Sequence, residues 1–255
     1  MHHSILALFL SNALTVWAAT PSGFKPASKV DLIIAYGDHQ AVNGADLAKS
    51  LTQSEPTFGT TQPLTGKSYA IIMVDIDIPT DNPPATGTFL HWAQTDLTPA
   101  AKTTKVQLND GQQTIHSLTT KADAIAAYKG PAPPAKVPLS HRYVQVLVDT
   151  SNITAAGTAA LKTLSNRSGV QVNDVLAKAG LTNMVVAGNF FTVTNPGPAA
   201  NAKNGTTTTA PTGGGAKTTK APSGISLGEK SSRLSPAMLL GVTAVSLLAL
   251  FANPV

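Results

Sequence analysis

An apolar run that ends in two carboxylates constrains the fold of this chain more than any other segment. Tyr69 to Val74 are all apolar, which is typical of a strand that is buried on both faces. Asp75 and Asp77 follow directly, and both point the same way because alternate side chains of a strand share a face. Burial of two carboxylates costs free energy unless donors, cations or a ligand meet them. The segment therefore predicts a central strand that leads into a polar site.

Both ends of the chain resemble processing signals rather than parts of a fold. Residues 1–18 contain a short apolar core and small residues at the end, which predicts a secretory signal peptide. Residues 225–255 end in an apolar stretch after small residues at Gly224 and Ser226, the pattern of a glycosylphosphatidylinositol (GPI) attachment signal. A single membrane-spanning tail anchor is the alternative. We therefore expect a secreted eukaryotic surface protein, GPI-anchored to the plasma membrane, with the cell wall as the alternative location.

Between these signals we predict one globular domain over residues 19–200 and a stalk over residues 201–224. The stalk is rich in Thr, Gly, Ala and Pro and lacks large apolar residues, so it is typical of disorder. The chain contains no cysteine, so a hydrophobic core has to stabilise the domain without disulfides. Three sequons predict N-glycosylation at Asn152, Asn166 and Asn204.

The charge distribution argues against nucleic-acid binding. The formal net charge is +5, but residues 19–200 contain thirteen Lys and Arg against twelve Asp and Glu. The remaining five basic residues follow residue 200. A nearly neutral domain without a basic stripe lacks the electrostatic signature of a nucleic-acid partner.

Segments rich in β-branched and aromatic residues predict a mainly β domain with antiparallel strands. The predicted strands are Val30–Tyr36, Tyr69–Asp77, His91–Leu97, Arg142–Asp149 and Val185–Val193. Apolar residues at helical spacing from Val172 to Ala179, with Gly180 as the C-terminal cap, predict one late peripheral helix.

The polar residues of these strands leave several interpretations open. Asp75 and Asp77 together with His91 and His141 fit an anion or lipid-head pocket, because clustered titratable groups mark functional sites. They also fit a structural polar network, a metal site or a general acid/base pair of a glycosidase. No compact metal-ligand motif is present, so we expect no metal, no cofactor and no enzymatic activity.

Two elements, in order, resemble the phosphatidylethanolamine-binding protein family. The first is Asp75–Pro79, an Asp-x-Asp-x-Pro motif, with His91 fourteen residues after the second aspartate. The second is Gly130–Pro134, a Gly-x-x-Pro-Pro stretch that leads to Ser140–Val144 with its His-Arg-Tyr-Val sequence. The resemblance covers roughly residues 29–194 and identifies the chain as a secreted, lipid-anchored member of fungal type.

The resemblance implies an antiparallel β-sandwich with a few peripheral α-helices. It also implies a small pocket for a phosphate or phospholipid head group, lined by Asp75, Asp77, Pro79, His91, Pro134, His141 and Tyr143. Histidines and a tyrosine hydroxyl can donate hydrogen bonds to phosphate oxygens. The chain departs from the family at Ile76, Phe89 and Phe191, where the family usually has Pro, Trp and Tyr.

An inhibitor of a serine carboxypeptidase is the alternative function that the resemblance implies, because family members also act as inhibitors. Such an inhibitor needs an accessible segment that can enter the active site of the protease. The sequence offers Thr20–Ser28 as the most accessible candidate.

Overall fold

The computed structural model describes residues 18–109 and 111–197. These residues form nine strands, two α-helices and two short 3-10 turns. The strands are β1 (Ile33–Tyr36), β2 (His39–Gln40), β3 (Thr57–Thr60), β4 (Tyr69–Pro79), β5 (Thr86–Pro99), β6 (Thr104–Leu108), β7 (Gly111–Thr119), β8 (Ser140–Asp149) and β9 (Val185–Thr194). The helices are α1 (Ala155–Lys162) and α2 (Val172–Lys178), and the 3-10 turns are Lys49–Thr52 and Thr163–Ser165.

The strands pair in the order β2-β1-β3-β7-β5-β4-β8-β9, and β6 pairs with β7. Neighbouring strands run antiparallel, and β4 pairs with β5 on one side and β8 on the other. The mainly β, antiparallel fold class is therefore confirmed. All five predicted strands are present, and β5 begins five residues earlier than predicted, at Thr86. Strands β2, β3, β6 and β7 and helix α1 were not predicted, because their sequences are short or mix polar and apolar residues without a clear period.

Strand β4 has a continuous apolar sequence because a separate core packs on each of its faces. Ile71 and Met73 belong to one core, together with Trp92, Leu147 and Phe191. On the other face, Ile72 and Val74 pack in the core that includes Leu161 of α1 and Leu176 of α2. A strand covered on one face alone would alternate between apolar and polar residues. Asp75 and Asp77 continue the first of these faces, so their site lies at the end of the core without helices.

The predicted late helix is confirmed as α2, with Gly180 just beyond its end. Gly180 has a φ of 73°, the left-handed conformation that glycine adopts without strain. The Leu181 amide donates to the Leu176 carbonyl at 2.8 Å, which closes the last turn as a Schellman motif. Leu181 is buried and thereby ties the turn to the helical core.

The N-terminal segment is not the accessible arm that the sequence suggests. The Ala19 amide donates to the Ser28 carbonyl at 2.9 Å, and the Ser28 amide donates to Thr20 Oγ1 at 3.1 Å. Thr20 is only 1% exposed and Ser28 only 6%. The prediction that Thr20–Ser28 is accessible is therefore wrong at both ends, because these hydrogen bonds anchor the segment. Its exposed residues are Ser22, Gly23, Lys25 and Ala27.

Strand β9 is the last strand of the sheet, and the segments that contain Leu32 and Ala45 form hydrogen bonds with its outer edge. The Leu32 amide donates to the Gly188 carbonyl at 2.7 Å, and the Thr192 amide donates to the Ala45 carbonyl at 2.8 Å. Open edge strands invite pairing with other chains, so these contacts protect the fold against association.

Several predicted features fall outside the described residues. These are residues 1–17 of the signal peptide predicted over residues 1–18, the stalk, the anchor signal and the sequon at Asn204. The other two sequon asparagines, Asn152 and Asn166, are exposed. Within the described residues, none of the helices combines the length and apolarity needed to cross a membrane.

Candidate functional site

The site is built from a row of residues that lie side by side across four strands. Asp75 of β4 is in register with Phe89 of β5 on one side and Tyr143 of β8 on the other. Tyr143 is in turn in register with Phe191 of β9. The sheet therefore joins sequence elements that are separated by more than a hundred residues.

A β-bulge places His91 beside this row. Met73 pairs with Trp92 and Val74 pairs with Leu90, so His91 is an extra residue in β5. The His91 ring centroid lies 5.1 Å from that of Tyr143 and 5.3 Å from that of Phe89. Its Nδ1 lies 2.6 Å from the Lys129 carbonyl oxygen, which orients the ring as a donor at Nδ1.

Asp75 and His141 form a buried pair at the centre of the site. The two atoms Asp75 Oδ2 and His141 Nδ1 lie 2.7 Å apart, and both side chains are almost completely buried. Asp75 Oδ1 also accepts a hydrogen bond from the Asp77 amide at 2.8 Å. These contacts fix the His141 ring, and no described residue forms a hydrogen bond with its other nitrogen, Nε2.

The hydroxyl oxygen of Tyr143 is a second buried polar atom that has no hydrogen-bond partner among the described residues. Its ring stacks on Phe191, with centroids 5.6 Å apart and an interplanar angle of 22°. Burial, and after it the nearby Asp75 carboxylate, raises the pKa of Tyr143 well above its ordinary value. The phenol therefore keeps its proton and can donate a hydrogen bond to a ligand.

Asp77 forms an ion pair with Arg142. Its carboxylate accepts from Arg142 Nε at 2.7 Å, from Arg142 Nη2 at 2.6 Å and from the Arg142 amide at 2.8 Å. Burial by itself raises the pKa of Asp77, but the hydrogen bonds and charge of Arg142 outweigh it and lower that pKa. The bidentate geometry fixes the end of β4 against β8.

The two predicted prolines lie in the flanking loops. Pro79 ends β4 and pairs with Thr86 of β5, while Pro134 is exposed. The loop of Pro134 is held by the Pro133 carbonyl, which accepts from Asn195 Nδ2 at 2.9 Å. The structure therefore brings Asp75, His91, His141 and Tyr143 together, with Asp77 adjoining them, and places the prolines beside the site.

Sequence reasoning did not assign roles to three residues that organise this site. Arg142 neutralises Asp77, Lys129 holds His91 through its carbonyl oxygen, and Arg167 donates to the His91 carbonyl at 3.1 Å. The sequence did indicate a partner for the aspartates at Arg142, because this cation directly follows His141 in the His-Arg-Tyr motif. Nothing in the sequence indicates the two contacts of His91.

A metal site receives no support from the described part of the chain. Within residues 18–109 and 111–197, no three residues among His, Cys, Asp and Glu come together as metal ligands would. The pairs that do form, Asp75 with His141 and Asp77 with Arg142, use the carboxylates internally. The geometry thus favours hydrogen bonding to a ligand over metal coordination.

The environment of His91 predicts a pH dependence of stability. Burial lowers the pKa of His91, although the Lys129 carbonyl and the Asp75 carboxylate act in the opposite direction. The unfolded chain therefore binds more protons than the folded chain once the pH falls below about 6.5, the ordinary histidine pKa. We therefore expect the contribution of His91 to the free energy of unfolding to be complete above that pH. It is lost as the pH falls through the lower pKa that His91 has in the folded protein.

Urea unfolding at pH 5 and pH 7.5 measures this dependence. The His91→Gln variant should lose part of the difference in unfolding free energy between the two pH values. The exposed His39 serves as the matched position, and His39→Gln should retain the difference. An unchanged difference in His91→Gln would contradict the assignment.

Comparison with known proteins gives one family and several relatives. The family model for Phosphatidylethanolamine-binding protein matches residues 35–191. The phomoidride biosynthesis cluster protein N of Talaromyces stipitatus is 28% identical over 186 residues, which cover 68% of this chain and 88% of that protein. Protein FLOWERING LOCUS T of Arabidopsis thaliana is 30% identical over 118 residues, 46% of this chain and 57% of that protein.

Solved structures with a similar chain trace include a carboxypeptidase Y inhibitor complexed with its cognate proteinase. That chain is 21% identical, with a TM-score of 0.46, and the match covers 66% of this chain and 85% of that one. A phosphatidylethanolamine-binding protein from Plasmodium vivax is 17% identical, with a TM-score of 0.46 and coverage of 68% and 91%. The family match extends over more than half of the sequence and includes both motifs of the site. The chain belongs to the phosphatidylethanolamine-binding protein family.

Proposed function

We propose that this protein binds a phosphate-type anion, free or as a phospholipid head group, at His91, His141 and Tyr143. The observation that carries the proposal is the pair of buried polar atoms, His141 Nε2 and the Tyr143 hydroxyl, that have no hydrogen-bond partner in the described chain. A buried polar atom without a partner costs about 1–3 kcal/mol, which hydrogen bonds to a ligand would offset.

The protonation states follow from the contacts of each ring. His141 Nδ1 donates to Asp75 Oδ2, so Nε2 of the same ring is placed to accept from a protonated phosphate oxygen. The Tyr143 hydroxyl donates beside it. Burial keeps His91 neutral, and its Nδ1 donates to Lys129, so its Nε2 accepts from a protonated phosphate oxygen or from a head-group ammonium.

Removal of the Tyr143 hydroxyl tests the site with minimal change. Tyr143→Phe should weaken binding of inorganic phosphate to the full chain by roughly tenfold or more, since hydrogen bonds to charged groups contribute about 1.5–3 kcal/mol. Isothermal titration calorimetry measures this change. Because the hydroxyl has no partner among the described residues, the variant should also be as stable as the wild type or more so.

Tyr69→Phe is the matched control. It also removes a buried tyrosine hydroxyl, one that accepts from the Gly66 amide in the loop before β4. Phosphate affinity should be unchanged in this variant. Equal phosphate affinity in wild type and Tyr143→Phe would remove the pocket assignment.

Two further titrations distinguish the sources of the phosphate. Vesicles of phosphatidylethanolamine in phosphatidylcholine test a lipid head group, while inorganic phosphate and phosphorylethanolamine test free anions. Stronger binding to the vesicles, lost in Tyr143→Phe, indicates a lipid ligand. Binding to the soluble anions alone indicates a free one.

We also propose secretion and a GPI anchor, supported by the signals in the sequence at residues 1–18 and 225–255. A phosphatidylinositol-specific phospholipase should release the protein from membranes, and retention in the detergent phase would favour a spanning tail.

Inhibition of a serine carboxypeptidase stays the alternative function. Because Thr20–Ser28 is anchored at both ends, its exposed residues Ser22, Gly23, Lys25 and Ala27 are the part that could reach a protease, and titration of the protease with the full chain tests this function.

A further inference from the structure

A second cavity lies away from the histidine site, where β1 and β2 meet β9. Its volume is about 220 Å³, and its wall includes Asp31, Leu32, Gln40 and Val42. Asn189 of β9 also lines it, and none of the residues of the proposed anion site does. The cavity is thus chemically separate from the site that the family motifs form.

Asn189 gives this cavity a buried hydrogen-bond acceptor. The residue is 3% exposed, and its Nδ2 donates to the Ala41 carbonyl at 2.8 Å. The other atom of the same amide, Oδ1, has no partner among the described residues. Gln145, its register partner on β8, is also buried with neither amide atom partnered in the described chain, but it does not line the cavity. Buried amides are normally satisfied, so Asn189 Oδ1 indicates a ligand that donates a hydrogen bond to it.

Asp31 is the one charged side chain that the described residues place in the wall of this cavity. Asn43 holds it in place, because its Nδ2 donates to Asp31 Oδ1 at 2.7 Å and its Oδ1 accepts from the Phe190 amide at 3.1 Å. Asp31 still offers its second carboxylate oxygen, and Asn189 offers Oδ1. The side-chain amides of Gln40, Asn43 and Asn189 keep N–H donors as well. Leu32 and Val42 supply apolar walls.

We propose that this cavity is a second binding site, for a small ligand that carries a primary ammonium group on a short apolar body. The ammonium has three donors for the Asp31 carboxylate and Asn189 Oδ1, and its positive charge complements Asp31. The apolar body packs against Leu32 and Val42. A volume of about 220 Å³ accommodates only a small molecule, since drug-sized ligands occupy roughly 300 Å³ or more.

The test compares three probes of equal length with the full chain: n-propylammonium, n-propanol and propionate. Two-dimensional ¹H–¹⁵N NMR follows the side-chain amide signals of Asn189 and Gln40 during each titration. We expect n-propylammonium to shift both signals in a saturable manner and to bind at least tenfold more tightly than n-propanol. Propionate should not bind.

Two substitutions at exposed positions keep the test independent of folding. Asp31→Asn removes the charge and should weaken n-propylammonium binding about tenfold, while Val42→Trp fills the mouth of the cavity and should abolish it. His141→Gln should leave this binding unchanged, which separates the proposal from the anion site. Equal affinities for n-propylammonium and n-propanol, or unchanged binding in Asp31→Asn and Val42→Trp, would overturn the proposal.

Discussion

Replacement of both His91 and His141 by alanine abolishes phosphate binding, the largest functional effect that we expect. Each imidazole contributes a hydrogen bond to a charged ligand, worth about 1.5–3 kcal/mol, so their joint loss weakens binding by roughly a hundredfold or more. Calorimetric titration of the full chain with inorganic phosphate measures the change. Circular dichroism checks that the double alanine variant is folded. If it is not folded, the double variant His91→Gln with His141→Gln is used in its place.

The matched control replaces His39 and His116, the two histidines of residues 18–109 and 111–197 that lie outside the site. His39 is exposed and pairs with Asp38, with Nδ1 and Oδ1 2.6 Å apart, and His116 lies on β7. His39→Ala with His116→Ala removes the same number of imidazoles and should leave phosphate affinity unchanged. Phosphate binding that survives in the His91, His141 variant would contradict the site, whatever the control shows.

Asp75→Ala should cause the largest loss of stability among the site variants. His141 is completely buried, and without Asp75 its Nδ1 has no hydrogen-bond partner. A buried donor left without its partner costs about 1–3 kcal/mol. For a domain of this size such a loss lowers the melting temperature by roughly 2–12 °C. Differential scanning calorimetry of the full chain measures it.

Asp75→Asn separates the hydrogen bonds from the charge. The asparagine keeps an oxygen that can accept from His141 Nδ1 or from the Asp77 amide, so most of the stability should return. Phosphate affinity should stay low, because an amide oxygen holds the Nδ1 hydrogen bond of His141 less firmly than a carboxylate does. A melting temperature in Asp75→Ala equal to that of the wild type would show that the pair does not support the fold.

The sequence was sufficient to predict the central strand and the residues at its end. The apolar run before Asp75 required a strand with two buried faces, and the structure has a core on each side of β4. His91 and His141 are brought to Asp75 by strand pairing, which the order of the motifs anticipates. Strand β7 could not be predicted, because its sequence alternates weakly and its place depends on partners elsewhere in the sheet.

The details of the site required the structure. The two aspartates look equivalent in the sequence, yet Asp75 meets His141 whereas Asp77 is neutralised by Arg142. The bulge that turns His91 toward Tyr143 depends on one extra residue in the pairing of β4 with β5, which no local pattern records. Gln145 and Asn189, whose buried amide atoms include three without a partner in the described residues, likewise become neighbours only when β8 and β9 are aligned.

The most direct test of the central claim follows the histidine ring nitrogens by NMR while phosphate is added to the full chain. Long-range ¹H–¹⁵N spectra resolve the protonation of Nδ1 and Nε2 in each ring. We predict that saturating phosphate shifts the Nε2 signal of His141 and the ring signals of His91, while His39 and His116 stay unchanged. Unchanged His141 and His91 signals at saturating phosphate would contradict the account.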